Sequence, residues 1–116
     1  MQLEERQVGD VTVIVVTGDI TQHKGGDLVL KNRVRDVLQQ GRKKLILDLG
    51  GVSYVDSAGL GELVQAYATT KKEGGMLKLV AVTARLRDLL TITKLVTVFD
   101  SYDTQSDAVG SFGTSA

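Results

Sequence analysis

Hydrophobic positions fall into short runs that predict strands. Residues 3–8 read as an exposed strand, residues 11–17 are a β-branched run, and the Gly9-Asp10 turn between them predicts an antiparallel hairpin. Two later runs are almost continuously apolar, a pattern typical of strands that are covered on both faces. The predicted strands are residues 3–8, 11–17, 44–49, 76–82 and 97–99.

Four other segments are predicted to be helices: two from the spacing of their apolar residues, and the last from Thr104 and Asp107, which fit an N-capping signature. Leu30, Val34, Val37 and Leu38 fall at i, i+4, i+7 and i+8, which predicts one face of a helix that ends at Gly41. The other predicted helices run through Leu60, Leu63, Val64, Tyr67 and Ala68 as far as Gly74, over residues 84–93, and over residues 104–109.

The order of these elements predicts the fold class. Strands that alternate with helices imply right-handed crossovers and a parallel sheet. The opening hairpin adds one antiparallel strand. We therefore expect an α/β fold, a single small domain over residues 1–110 with a mixed sheet and with helices packed mainly on one face. We expect residues 111–116 to form a mobile C-terminal tail.

Composition narrows the chemistry that this domain can carry. The 116 residues include no cysteine and one histidine, His23, which removes thiol nucleophiles, thiolate zinc sites and most transition-metal chemistry. Fourteen basic and fourteen acidic side chains cancel, so no overall field attracts nucleic acid or an anionic membrane. We therefore expect no metal ion and no nucleic-acid partner.

The distribution of apolar residues also bears on location. No apolar run approaches the roughly 18 residues of a membrane-spanning helix. Three of the first six residues are charged, whereas a secretory signal needs an apolar segment. We therefore expect a cytoplasmic protein without a membrane partner.

The stretch that could carry function follows the first buried strand. Its loop delivers Asp56 and Ser57 to the first turn of a helix that contains Gly59 and Gly61. N–H groups at such a turn lack partners, and the helix dipole favours an anion there, such as a phosphate on Ser57. Alternatively, Asp56 or Ser57 simply caps the helix. Capping does not explain the two glycines, which indicate a backbone that is closely approached by the sheet or by a partner.

Ser57 does not fit the motifs of a catalytic nucleophile. A nucleophile elbow needs glycine two residues before the serine, where this chain has Val55. The histidine of an α/β-hydrolase comes last in the chain, whereas His23 precedes Ser57. Phosphate-binding and dinucleotide-binding glycine motifs do not occur either. We therefore predict a protein that is not an enzyme and has no catalytic residues and no cofactor.

Two further features leave a question open. Asp48 interrupts an apolar strand and needs a polar partner, which the sequence does not identify. A basic stretch around the end of the first helix is either a solvated helix face or a docking patch for an acidic partner. Its members are Arg33, Arg35, Arg42, Lys43 and Lys44.

Two segments carry a resemblance to a known family. Leu-Ile-Leu-Asp-Leu at 45–49 and Val-Asp-Ser-Ala-Gly-Leu-Gly at 55–61 resemble the signature of the STAS domain, in particular of bacterial anti-sigma-factor antagonists. The resemblance covers most of the chain and implies a small mixed sheet with helices on one side. The family usually has glycine at the position of Lys94, so we expect the third helix to end differently here.

The resemblance implies a mechanism called partner switching. The unphosphorylated antagonist binds an anti-sigma factor, which is also an ATP-dependent serine kinase, and so frees a sigma factor. The kinase phosphorylates the serine that matches Ser57, with Asp56 as its orienting neighbour, and a serine phosphatase reverses the reaction. Asp19 matches an acidic position near that site. The implied partner-binding residues are Asp19, Asp56, Ser57, Ala58, Gly59, Leu60 and Gly61.

A second role keeps the fold and changes the function. A STAS scaffold or accessory subunit of a stress-signalling or lipid-transport complex would have the same domain. Its serine would be modified by a different kinase or not at all.

Overall fold

The computed structural model describes residues 2–21 and 29–112. The strands are β1 (Gln2–Val8), β2 (Val11–Ile20), β3 (Lys44–Val55), β4 (Met76–Val80) and β5 (Asp100–Tyr102). The helices are α1 (Val29–Gln39), α2 (Ser57–Lys72), α3 (Ala84–Ile92) and α4 (Gln105–Ser111). The strands form one sheet in sequence order, from β1 at one edge to β5 at the other.

The predicted mixed sheet is confirmed. β1 and β2 pair antiparallel around a turn in which Gly9 has a φ of 61°, a conformation that glycine adopts without strain. The other three neighbouring pairs are parallel, as expected for strands that are joined through helices.

The helices are distributed unevenly over the two faces of the sheet. The larger apolar cluster combines residues of β2, β3 and β4 with buried residues of α1, α2 and α3, such as Leu38, Leu63 and Leu90. A smaller cluster on the other face contains Val13, Ile46 and Ala108 of α4. Three helices therefore cover one face and a short fourth covers the other, which agrees with helices that are mainly on one side.

Asp48 finds its partner in α4. The Nε2 amide of Gln105 donates to Asp48 Oδ2 at 2.6 Å, and the Gly50 N–H donates to Oδ1 at 3.0 Å. Arg6 donates to Gln105 Oε1 at 2.5 Å. The Asp48 carboxylate thus has hydrogen-bond donors within an otherwise apolar strand. The two hydrogen bonds of Gln105 also connect α4 to the sheet.

The central strands are longer than predicted, and this decides where the site lies. β2 continues to Ile20 and β3 to Val55, so the expected loop at 50–56 is mostly strand. β4 pairs only with the first part of β3, as far as Asp48. Beyond that point β2 and β3 are the only described strands that continue. A Cβ on Gly51 would lie 2.8 Å from Cγ2 of Thr17.

Two predicted ends shift in the second half of the chain. The strand predicted at 97–99 is wrong: β5 begins at Asp100, and Phe99 turns into the core, where its ring meets Tyr67 edge-on at 5.2 Å. Phe99 is buried in the core without pairing in a strand, whereas Val98 is 38% exposed. β4 likewise ends at Val80 rather than at residue 82. Lys94 has a φ of 62°, so the backbone after α3 adopts the left-handed conformation that glycine would.

The C-terminal helix extends into the predicted tail. α4 includes Ser111, and Phe112 packs on the smaller apolar cluster, with Lys78 Nζ 4.4 Å from its ring centroid. Lys78 also donates to the Ser111 hydroxyl at 2.8 Å. The rest of the predicted tail, residues 113–116, lies outside the described residues. Across the described ranges, no helix is long and apolar enough to cross a bilayer.

Candidate functional site

The site lies where β3 ends and α2 begins. Asp56 is the N-cap residue of α2: its backbone is extended, and its Oδ1 accepts the N–H of Gly59 at 2.7 Å. Ser57 is the first residue of α2 and is exposed. Within residues 2–21 and 29–112, its hydroxyl has no hydrogen-bond partner. Of the two residues that could have capped the helix, Asp56 therefore does so, and the Ser57 hydroxyl stays accessible.

The two glycines of the first turns have different surroundings. A Cβ on Gly59 would lie 1.7 Å from the carbonyl oxygen of Ile20, at the end of β2. Gly59 is therefore required by the close approach of α2 to the sheet, which is one of the two explanations expected for these glycines. A Cβ on Gly61 would meet nothing within 4 Å, so packing within the described chain does not require glycine there.

A groove of about 400 Å³ opens beside Ser57, between the β3–α2 junction and α3. We call it the Ser57 groove; its lining residues are Tyr54, Val55, Asp56, Ser57, Arg85, Asp88, Leu89 and Ile92. Its apolar lining is unusually accessible, because Tyr54 is 41% exposed and Ile92 is 76% exposed. The Arg85 guanidinium lies over the Tyr54 ring, 5.2 Å from its centroid. Accessible apolar surface of this kind is suited to binding a protein partner.

The structure brings together only part of the predicted partner-binding set. Ser57 is exposed, and Asp56, Ala58 and Gly61 are partly exposed around it. Leu60 is only 5% exposed in the main core, and Gly59 is buried against Ile20. Leu60 and Gly59 thus lie in the protein interior, away from the exposed members of the set, and partner binding through this set stays a prediction.

Asp19 lies near the end of β2, the strand that pairs with the end of β3. It is exposed and is paired in register with Tyr54 of the neighbouring strand. It does not line the Ser57 groove. Asp19 thus lies on the same two-stranded extension as the site, one strand away from it.

Sequence reasoning missed the α3 wall of the groove. Arg85, Asp88, Leu89 and Ile92 fall at i, i+3, i+4 and i+7 and so share one face of α3. The core face of the same helix carries Leu86 and Leu90. Leu89 and Ile92 form a second apolar pair beside this core pair, which could have indicated an apolar surface on α3. Nothing in the sequence related that surface to Ser57.

The basic stretch mostly has partners within the domain. Arg33 and Arg42 lie 3.0 and 3.9 Å from the Glu5 carboxylate. Lys43 donates to the Glu73 carbonyl oxygen at 2.8 Å, and Lys44 contacts Asp10 at 2.5 Å. The hydrogen bond from Lys44 lowers the pKa of Asp10. Among the described residues, Arg35 forms neither an ion pair nor a side-chain hydrogen bond, and Lys43 forms no ion pair.

Metal-ligating side chains are not clustered in the described part of the chain. Among residues 2–21 and 29–112, no three histidine, cysteine, aspartate or glutamate side chains are grouped so that they could hold a metal ion. His23 lies outside the described residues.

Loss of the Asp56 cap has a measurable cost. We expect Asp56→Ala to lower the free energy of unfolding by about 1 kcal/mol, because the Gly59 N–H loses its acceptor. Asp56→Asn should retain most of the stability, since its side-chain oxygen can accept the same bond. Urea denaturation of both variants checks this. Equal stability of the alanine variant and the native chain would contradict the capping role.

Comparison with known proteins finds a matching family model and similar named proteins. A family model described as the STAS domain matches residues 2–108. The anti-sigma-B factor antagonist of Bacillus subtilis is 40% identical over 72 residues, which cover 62% of this chain and 65% of that protein. The chain thus matches slightly less than two thirds of that relative's length.

Solved structures extend the similarity over the whole domain. A crystal structure of an anti-sigma factor antagonist from Mycobacterium paratuberculosis has a TM-score of 0.78 at 26% identity, and the alignment covers 95% of this chain and 92% of that one. The Bacillus cell fate determinant SpoIIAA in its phosphorylated form has a TM-score of 0.71 at 17% identity, with 96% and 99% coverage. At that identity, the second comparison shows a shared fold alone.

Proposed function

Because this chain belongs to the STAS domain family, we propose that it is an anti-sigma-factor antagonist that works by partner switching through Ser57. In this proposal the unphosphorylated protein binds an anti-sigma factor with serine kinase activity and so releases a sigma factor. The kinase holds the ATP, and a serine phosphatase restores the binding form. The protein itself is a cytoplasmic binding module and not an enzyme.

The observation that supports the proposal is that Asp56 and Ser57 have different roles at the start of α2. Asp56 supplies the cap, which leaves the exposed Ser57 hydroxyl without a structural task in the described part of the chain. A kinase active site can reach such a hydroxyl without unfolding the helix. The first-turn N–H groups and the helix dipole then tolerate the added charge.

Because Ser57 lies at the rim of the groove, its phosphorylation would also weaken binding of a partner there. A phosphate adds about −1.5 to −2 charges and three acceptor oxygens at the rim of a groove that exposes Tyr54 and Ile92. A partner that covers this groove must desolvate the phosphate, and the phosphate also lies beside the carboxylates of Asp56 and Asp88. The modification is therefore compatible with the fold but not with the complex.

Phosphate transfer tests the proposal directly. The anti-sigma serine kinases of the source genome are expressed one at a time and incubated with this protein and Mg-ATP. We expect one of them to add a single phosphate, about 80 Da by the mass of the group, which fragment-ion mass spectrometry places on Ser57. The Ser57→Ala variant should remain unmodified.

A matched control guards against nonspecific phosphorylation. Ser106 is also exposed and also lies near the start of a helix, but on the opposite face of the sheet. We expect Ser106→Ala to accept phosphate at the native rate. Phosphate on another residue, or on none with any of these kinases, would contradict the proposal.

A further inference from the structure

The face of α3 that lines the Ser57 groove carries a cation, Arg85, whose contact with a ring can be replaced. The Arg85 guanidinium lies over the Tyr54 ring, and no carboxylate forms an ion pair with it within the described ranges. Arg85 is itself exposed. A cation over an exposed ring is held weakly, so a stronger partner nearby can move it.

Phosphorylation of Ser57 would place such a partner in the same groove. Ser57 and Arg85 both line the Ser57 groove, one from α2 and one from α3. A phosphate offers three charged oxygens, and a guanidinium binds two of them through parallel N–H donors. Charge-assisted bonds of this kind are stronger than the contact of a cation with a neutral ring at the surface.

We propose that Arg85 is the phosphate-binding residue of this protein, which leaves the Tyr54 ring and pairs with the phosphate once Ser57 is phosphorylated. This inference rests on the proposed phosphorylation of Ser57. The movement of Arg85 adds a second effect to the charge of the phosphate, because it changes the lining of the groove. The Tyr54 ring loses its contact with the guanidinium, and Arg85 moves toward α2. Phosphorylation would then change the shape of the docking groove as well as its charge.

The charged groups around the phosphate make the proposal measurable. Asp56 and Asp88 line the same groove and repel the phosphate dianion, whereas Arg85 and the α2 N-terminus attract it. The ordinary second pKa of phosphoserine is about 6. A guanidinium paired with the dianion lowers this pKa, and its removal must raise it.

The test uses the full chain with phosphoserine incorporated during translation at position 57, so that no natural kinase is needed. A ³¹P NMR titration compares this protein with its Arg85→Gln variant. We expect the substitution to raise the proton affinity of the phosphate about tenfold, the lower end of the effect of an opposite charge in contact. Arg87→Gln is the matched control: it removes one charge from the same helix, and Arg87 does not line the groove.

The Tyr54 ring gives a second readout that a general change in charge would not produce. Phosphoserine should shift the ring proton resonances of Tyr54 in the native chain and leave them nearly unchanged in Arg85→Gln, where no guanidinium covers the ring. An unchanged proton affinity in Arg85→Gln, or an equal change in Arg87→Gln, would overturn the role of Arg85. Failure of every kinase to modify Ser57 would instead overturn the proposed function and leave this result standing.

Discussion

Ser57→Asp is expected to weaken binding to the anti-sigma partner by more than a hundredfold, or about 3 kcal/mol. The added carboxylate lies on the exposed rim of the Ser57 groove, next to Asp56 and Asp88. Covering it with a partner costs desolvation and adds repulsion between like charges. Ser57→Ala should bind at least as tightly as the native protein, because it removes only a hydroxyl that has no partner in the described chain.

Isothermal titration calorimetry against the kinase identified by phosphate transfer measures both affinities. Ser106→Asp places the same charge at the start of α4, on the opposite face of the sheet, and should bind like the native protein. If Ser57→Asp and Ser57→Ala bound equally well, Ser57 would not control the interface. Equal losses in Ser57→Asp and Ser106→Asp would point to overall charge rather than to the groove.

Gly59→Ala is expected to lower the free energy of unfolding by about 3 kcal/mol, the upper end of the range for overpacking. The new Cβ would lie 1.7 Å from the Ile20 carbonyl oxygen and 2.5 Å from the carbonyl carbon, and both are backbone atoms that no rotamer change can move. Either α2 or the end of β2 must shift. For a domain whose total stability is typically 5–15 kcal/mol, this is a large loss.

Gly61→Ala provides the contrast within the same helix. Its Cβ enters open space, and the helix gains about 1 kcal/mol because alanine has the higher helix propensity. We therefore expect urea denaturation to show a lower free energy of unfolding for Gly59→Ala and a higher one for Gly61→Ala. If the two substitutions changed stability equally, the contact of Gly59 with β2 would not be the reason for glycine at this position.

Local pattern was sufficient for much of the architecture. Helix α1 has its four buried residues at the spacing that predicted it, and α4 begins where Thr104 caps it. The prediction at 97–99 was wrong because an apolar run records burial, and burial in Phe99 comes from a turn that packs on α2 and not from strand pairing. The end of β3 was missed because Gly50 and Gly51 are typical of loops.

The sequence by itself determined the alternation of strands and helices, the antiparallel opening and the position of Ser57 at the start of a helix, since each depends on the spacing of residues within one segment. Tertiary structure decided why Gly59 cannot carry a side chain and that α3 places Arg85 and Ile92 beside Ser57. These features arise from the approach of segments that are distant along the chain. Sheet register and helix packing set that approach, and neither leaves a local pattern in the residues that it brings together.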